Sequence, residues 1–261
     1  MSYSSYRRLG ARIYEAADFV FEPPAEIVRA RRVLIKPAAR YPLPPPATTS
    51  RTILEVIINS IRKVSEADIL FLEGSPEGEP MQSIYRALQY NFPRVLTLDV
   101  RDCVLVEVEN PLDKPFAMAT FWLPNVVLSC DYLLSVAPSR PSGNRWGFSI
   151  ENLLSLLPVE KYRSESPGGG NVLFDMGIEN VLADLYFTLP FDMGIIELHG
   201  EAGGTTADKM GEVRNRIVAG EPYEADSEAA RILGLDVEHL RMIKNVRGEF
   251  ADQIDNLEHS L

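Results

Sequence analysis

The chain has 261 residues, of which 46% are hydrophobic and 24% charged, and its 37 acidic against 26 basic side chains give a formal net charge of −11. That length can bury roughly three quarters of the unfolded surface without disulfide or metal staples, and the ordinary composition excludes wholesale disorder, a collagen-like chain and a coiled coil. The negative field disfavours nucleic acid and anionic membranes as partners, but a local group of Arg, Lys and backbone N–H donors still attracts a small anion.

In chain order, residues 1–29 read as an N-terminal arm. Its aromatic residues Tyr3, Tyr6, Tyr14, Phe19 and Phe21 are expected to pack on the parent domain, with a contact to a second subunit as the alternative. The arm lacks the apolar core of a signal peptide, so a cytoplasmic protein is expected. Residues 30–261 then read as a single α/β domain with a lobe seam near residue 130.

"ARRVLIKP" (30–37) predicts a strand stopped by Pro37, and a proline-rich bend at 42–46 leads to a helix over 50–64, where Ile53, Leu54, Ile57, Ile58 and Ile61 recur at helical spacing. "ADILFLEGS" (67–75) predicts a buried strand, so strand, helix and strand form a crossover within a parallel sheet. A helix near 79–90 and strands near 94–99, 103–108, 126–129 and 132–136 follow. The run 116–137 approaches membrane-spanning length, but Pro124, Asn125 and Asp131 interrupt it, which suits short buried strands better.

Further along come a short helix within "NRWGFSIENLLSLLP" (144–158), stopped before Pro158, a connection over 163–171, a helix from 172 and a strand from 193. A short strand or turn entry at 215–220, a helix ending at Gly234 and a last helix fraying from Glu249 complete the chain. The expected architecture is a layered α/β fold whose largely parallel or mixed sheet is flanked by helices. Cys103 and Cys130 lie in apolar runs without metal-binding spacing, and are expected to be buried reduced thiols.

The pieces "VLIKP" (33–37), "PPATTSRTILEVIINSIRKV" (45–64), "FLEGS" (71–75), "CDYLLSVAPSR" (130–140), "IENLLSLLP" (150–158) and "IVAGEPYEADSEAARILGLD" (217–236) resemble, in order and spacing, the family called domain of unknown function 362. The resemblance implies an α/β fold covering most of residues 30–246. Where members of that family carry Lys-Thr-His, this chain has Arg140-Pro141-Ser142, and where they carry Lys-Asn it has Glu151-Asn152. Arg140 keeps the charge, Asn152 the amide, and Asp226 matches the usual late acid. The ferredoxin-like cysteines of many relatives are missing, so no resident iron–sulfur cluster is expected. The family's layout is also similar, more distantly, to that of nickel-dependent lactate racemases, but none of the three histidines His199, His239 and His259 falls in a matching place.

Three places carry candidate chemistry. The first is "PPPATTS" (44–50), where stiff prolines deliver Thr48, Thr49 and Ser50 to a helix start. One hydroxyl suffices as a cap, so three leave two readings open: capping alone, or a site in which the hydroxyls, free N–H groups, Lys36 and Arg51 hold a phosphate or carboxylate. The second is "PSRPSGNRWGF" (138–148), whose Arg140 and Arg145 suit a clamp on the same anion, with Trp146 and Phe148 as an apolar wall. Its alternative is a solvated loop.

The third is "IIELHGEAGG" (195–204), where Glu197 and His199 share a strand face and Glu201 follows, a spacing that suits a general base and only weakly a metal. Asp226 is a second carboxylate to weigh for proton transfer, against helix capping. The reading as a whole is a protein that binds a small anionic molecule, with its enzymatic character open, and the alternative is a non-catalytic interaction or scaffold protein.

Overall fold

The computed structural model describes residues 10–142, 145–164, 170–199 and 215–258. Tyr3, Tyr6, Glu201, His259 and most of the expected connection at 163–171 lie outside them. The strand, helix and strand expected from residue 30 onward are present as β2 (Arg32–Pro37), α2 (Arg51–Val64) and β3 (Asp68–Glu73), preceded by β1 (Arg12–Glu15) and α1 (Ala25–Arg29). Then follow α3 (Met81–Ala87), β4 (Val95–Asp99), β5 (Leu105–Glu109), β6 (Thr120–Pro124), α4 (Asn125–Leu128), β7 (Tyr132–Pro138), β8 (Arg140–Ser142) and β9 (Arg145–Gly147). A 3-10 helix (Glu151–Leu156) leads to α5 (Val159–Tyr162), α6 (Val172–Asp175), α7 (Ile178–Thr188), β10 (Met193–Leu198), β11 (Arg216–Gly220), α8 (Pro222–Leu233) and α9 (Glu238–Glu258).

Seven strands form one mixed sheet in the order β1-β11-β10-β7-β2-β3-β4, parallel from β10 to β4 and antiparallel at the β1 edge. Strands from both sides of residue 130 therefore share one sheet, and the arm contributes β1 with Phe19 and Phe21 buried. Alternation along the strands builds a core on each face. Val33, Ile35, Ile69, Phe71 and Leu134 pack with Ile53, Leu54, Ile57 and Ile61 of α2 and Ile84 of α3. Leu34, Leu72 and Leu133 turn to the other face, against the 3-10 helix and α7, while Ile196 and Val218 meet α7, α8 and α9. Burying each large aliphatic side chain contributes about 1.5–3 kcal/mol before ordering costs.

Several elements differ from expectation for local reasons. Residues 125–128 are a helical turn, because Pro124 closes β6 and provides the fixed φ that opens a helix. The strand there is β6, paired antiparallel with β5. The loop at 138–148 is a hairpin, β8 with β9. The helix expected from 172 is broken at Gly177, whose φ of +82° is one an L side chain resists. The last helix runs to Glu258, past the expected fraying point. Cys103 and Cys130 are both free and only half-buried. No helix among the described residues is long and apolar enough to cross a membrane.

The sheet order fixes where a site can form. From β2 the chain adds β3 and then β4 on one side, and later β7 and β10 on the other. The carboxyl ends of β2 and β7 therefore mark the point where strand order reverses, the edge at which sheets of this kind bind ligands, and Ala38 N bonds Val136 O across it (3.1 Å).

Candidate functional site

The parallel neighbours β2 and β3 carry opposite charges near their carboxyl ends, Lys36 and Glu73. Lys36 closes β2 with no solvent exposure, and its ammonium donates to Glu73 Oε2 (2.8 Å), Pro37 O (2.9 Å) and Asn152 Oδ1 (3.0 Å). An ammonium has three protons, so all three are spent. Burial pushes Lys36 down to about 8, with the adjacent Glu73 opposing the fall. Glu73, at the end of β3, also accepts from Ala39 N (2.8 Å) and Gly74 N (2.9 Å). Asn152 returns bonds to Lys36 O and Ser135 Oγ, each at 3.1 Å. One polar network thus ties the ends of β2 and β3 to β7 and the 3-10 helix.

Just beyond this network stand two arginines: Arg40 follows β2 and Arg140 follows β7. Arg40 Nη2 donates to Glu151 O (2.9 Å), and its Nη1 stands 3.8 Å from Glu151 Oε1. Arg140 Nη2 stands 4.0 Å from that same oxygen. The side chains are 16% and 22% exposed, so both guanidinium groups are near the surface without being fully hydrated. Burial first and the neighbouring Arg40 second hold Arg140 below its ordinary value. Arg40 Nε is buried with no acceptor among the described residues. Gly147 completes the arrangement, since a Cβ there would lie 1.4 Å from Glu151 Oε2.

The helix start at α2 uses its three hydroxyls separately. Ser50 Oγ accepts from Ile53 N (3.3 Å) as the cap. Thr49 Oγ1 accepts from Ala38 N (2.8 Å) and donates to Val136 O (2.6 Å), bridging the ends of β2 and β7. Thr48 Oγ1 donates to Leu43 O (2.7 Å) and closes the proline bend. Thr48 and Thr49 are buried. A carboxylate does sit at this helix start, and it is the chain's own: Ser50 N donates to Glu197 Oε1 (2.7 Å). Burial holds Glu197 above its ordinary value, and the Ser50 bonds oppose that.

Elsewhere the expected residues separate. Arg51 bonds Gln89 O and lies over the Phe92 ring. Arg145 reaches Glu179 Oε1 at 3.4 Å on α7, so it and Arg140 engage different carboxylates. Phe148 is a core residue, while Trp146 remains half-buried. The backbone N–H of His199 donates to Ser139 Oγ (2.9 Å), and burial holds its ring below the ordinary value. Among the described residues no three His, Cys, Asp or Glu side chains are grouped to hold a metal ion. Asp226 is fully buried, accepting from Ser149 N (3.0 Å), Ile150 N (2.9 Å) and Ser149 Oγ, and burial pushes it up to about 7. It anchors the turn that presents Glu151 and Asn152.

Glu73 and Arg40 were not singled out by sequence reasoning. The available signal was a lone carboxylate ending the apolar strand "ILFLE", parallel to a strand ending "LIK". Two neighbouring parallel strands with opposite charges at their carboxyl ends are poised to pair.

No family model matches the chain, and no curated protein matches it. Among solved structures, the lactate racemase apoprotein from Thermoanaerobacterium thermosaccharolyticum is similar, with a TM-score of 0.54 and 14% sequence identity over 82% of this chain and 51% of that one. The likeness establishes a shared α/β fold. This chain spans about half the length of that relative.

Proposed function

We propose that this chain binds a small anionic molecule, carrying a carboxylate or phosphate, in the crevice between the ends of β2 and β7, with Arg40 and Arg140 as its anchors. The observation that carries the reading is the emergence of two partly buried guanidinium groups on opposite sides of the point where strand order reverses. Guanidinium donors match planar oxyanions, and this is the edge where sheets of this kind bind ligands. Lys36 acts behind them: with its protons spent on the chain, it fixes the strand ends and contributes positive potential. Thr48, Thr49 and Ser50 shape the floor of the site, and Arg145 steadies the hairpin that carries Arg140. The order of motifs keeps membership of the domain of unknown function 362 as part of the same proposal.

Glu197 and Asp226, weighed above for proton transfer, are held by internal donors, so the reading assigns them positioning roles. The relative's name makes small hydroxy acids such as lactate the first ligands to test. Lys36, the lysine at this edge, has all three ammonium protons engaged by Glu73, Pro37 and Asn152. The second reading, a scaffold without catalysis, is favoured by the same saturation of Lys36 and the three hydroxyls. Calorimetric titration with hydroxy acids and sugar phosphates tests the proposal. Arg40→Gln and Arg140→Gln should each weaken binding by about tenfold or more without loss of the folded circular-dichroism spectrum. Unchanged binding in both variants would contradict it.

A further inference from the structure

The opposite end of the sheet carries a cleft that the proposed anion site does not use. It measures about 580 Å³ and opens at the amino ends of β2, β3 and β4, with Arg32, Asp68, Leu70, Leu96, Leu98 and Val126 in its wall. Strand register explains its make-up. Leu34 pairs with Leu70 and Leu70 with Leu96, so one apolar row crosses three strands on a single face. Leu34 is fully buried and Leu70 is 6% exposed, but Leu96, on the edge strand β4, is 58% exposed. Two residues earlier, Arg32 pairs with Asp68, and the period of two puts both on that same face. A row of opposite charges thus stands beside a row of leucines.

Arg32 and Asp68 are neighbours without being partners. Neither side chain makes an ion pair or a hydrogen bond among the described residues, whereas the charges around them are taken. Arg94, at the same cleft, is held by Glu66 (3.0 Å). Asp131 accepts from the backbone N–H groups of Arg31 (2.7 Å) and Arg32 (3.0 Å) and stands 3.7 Å from the Arg31 guanidinium. We propose that this cleft is a second binding site, which takes an α-amino acid with a large apolar side chain. The Arg32 guanidinium receives its carboxylate, Asp68 its ammonium, and Leu70, Leu96 and Val126 its side chain. The two rows define the class. Positions two apart along a strand are separated by about 6.6 Å, within reach of a leucine or phenylalanine side chain from its α-carbon. A plain carboxylate brings its charge against Asp68, and a plain amine brings its charge against Arg32, so the match is to a head that bears both. The bound side chain also covers Leu96, removing its apolar surface from water.

The probe is phenylalanine, a zwitterion at neutral pH, titrated at one fixed neutral pH and followed by saturation-transfer NMR and calorimetry. Phenylpropionate lacks its amine, phenethylamine its carboxylate and glycine its side chain, and these three serve as controls. The unmodified protein should bind phenylalanine saturably and each control about threefold or more weakly. Arg32→Gln, Asp68→Asn and Leu96→Ser should each weaken phenylalanine binding by a similar factor. All three side chains are exposed, so the variants should keep the folded circular-dichroism spectrum. Phenylalanine also carries a carboxylate that the proposed anion site could take, and Arg140→Ala checks the location. Absence of saturable binding up to about 10 mM, phenylpropionate binding as tightly as phenylalanine, or unchanged affinity in the Arg32→Gln and Asp68→Asn variants overturns the inference. So does binding that is lost in Arg140→Ala and kept in Arg32→Gln, which places the ligand at the other end of the sheet.

Discussion

A lysine ammonium without solvent contact is expensive to bury, and Lys36 is tolerated because Glu73, Asn152 and a carbonyl take all its protons. Removing one partner leaves the other uncompensated. Lys36→Met should therefore lower the unfolding free energy by about 3–5 kcal/mol, and adding Glu73→Gln, which removes the stranded charge and keeps an acceptor for one of the two N–H groups of Ala39 and Gly74, should restore part of it. Urea unfolding of the single and double variants checks the coupling. Asp226 makes a prediction of the opposite kind. Its carboxyl sits at about 7 in the fold against about 3.9 in an unfolded chain, so the folded state holds the proton more tightly. Its contribution is complete below pH ~4 and is lost as pH rises through 7. Asp192, raised by burial to about 6, adds the same sign. Unfolding measured from pH 7 to pH 5 should show stability rising toward acid, with a shallower rise in Asp226→Asn; an identical slope would remove Asp226 as the cause.

At the scale of elements, α2 and its entry decide the geometry of the crevice. The amphipathic spacing of Ile53, Leu54, Ile57 and Ile61 dictates the helix and the face it buries. The three hydroxyls before it serve three separate tasks: Ser50 caps, Thr48 closes the proline bend, and Thr49 joins β2 to β7. Ser50→Ala should cost about 1 kcal/mol, the usual worth of a cap. Thr49→Val removes two buried hydroxyl bonds but leaves Ala38 N bonded to Val136 O (3.1 Å), and should cost more than the cap alone, about 0.5–1.5 kcal/mol for each bond removed. Equal losses in thermal unfolding would contradict this division of labour. These elements were readable in the sequence because helical and strand periods are local signals. The turn at 125–128, the break at Gly177 and the strand formed by the N-terminal arm were not, because Pro124, one positive φ and a partner strand some 200 residues away decided them.

For the molecule as a whole, the same distinction explains what was readable of the site. The order of strands and helices, and the turns after β2 and β7, follow from the apolar pattern, and Arg140 was visible as a cation after a buried strand. Glu73 and Arg40 acquire meaning only when parallel pairing sets β2 between β3 and β7. The destination of Glu197, on the N-terminus of α2, depends on a contact across 147 positions of sequence. A chain of net charge −11 that gathers three cations at one sheet edge holds them against its average field, and the crevice there is the central claim. The most direct test is a thermal-shift screen of hydroxy acids, sugar phosphates, nucleotides and coenzyme A, run in parallel on the unmodified protein and on Arg140→Ala. A ligand at about 100 times its Kd adds about 2.7 kcal/mol, which for a chain of this size raises Tm by about 2–4 °C per kcal/mol. The account predicts a saturable rise with at least one anion in the unmodified protein and its loss in the variant. A rise of equal size in both proteins, or none in either, would contradict it.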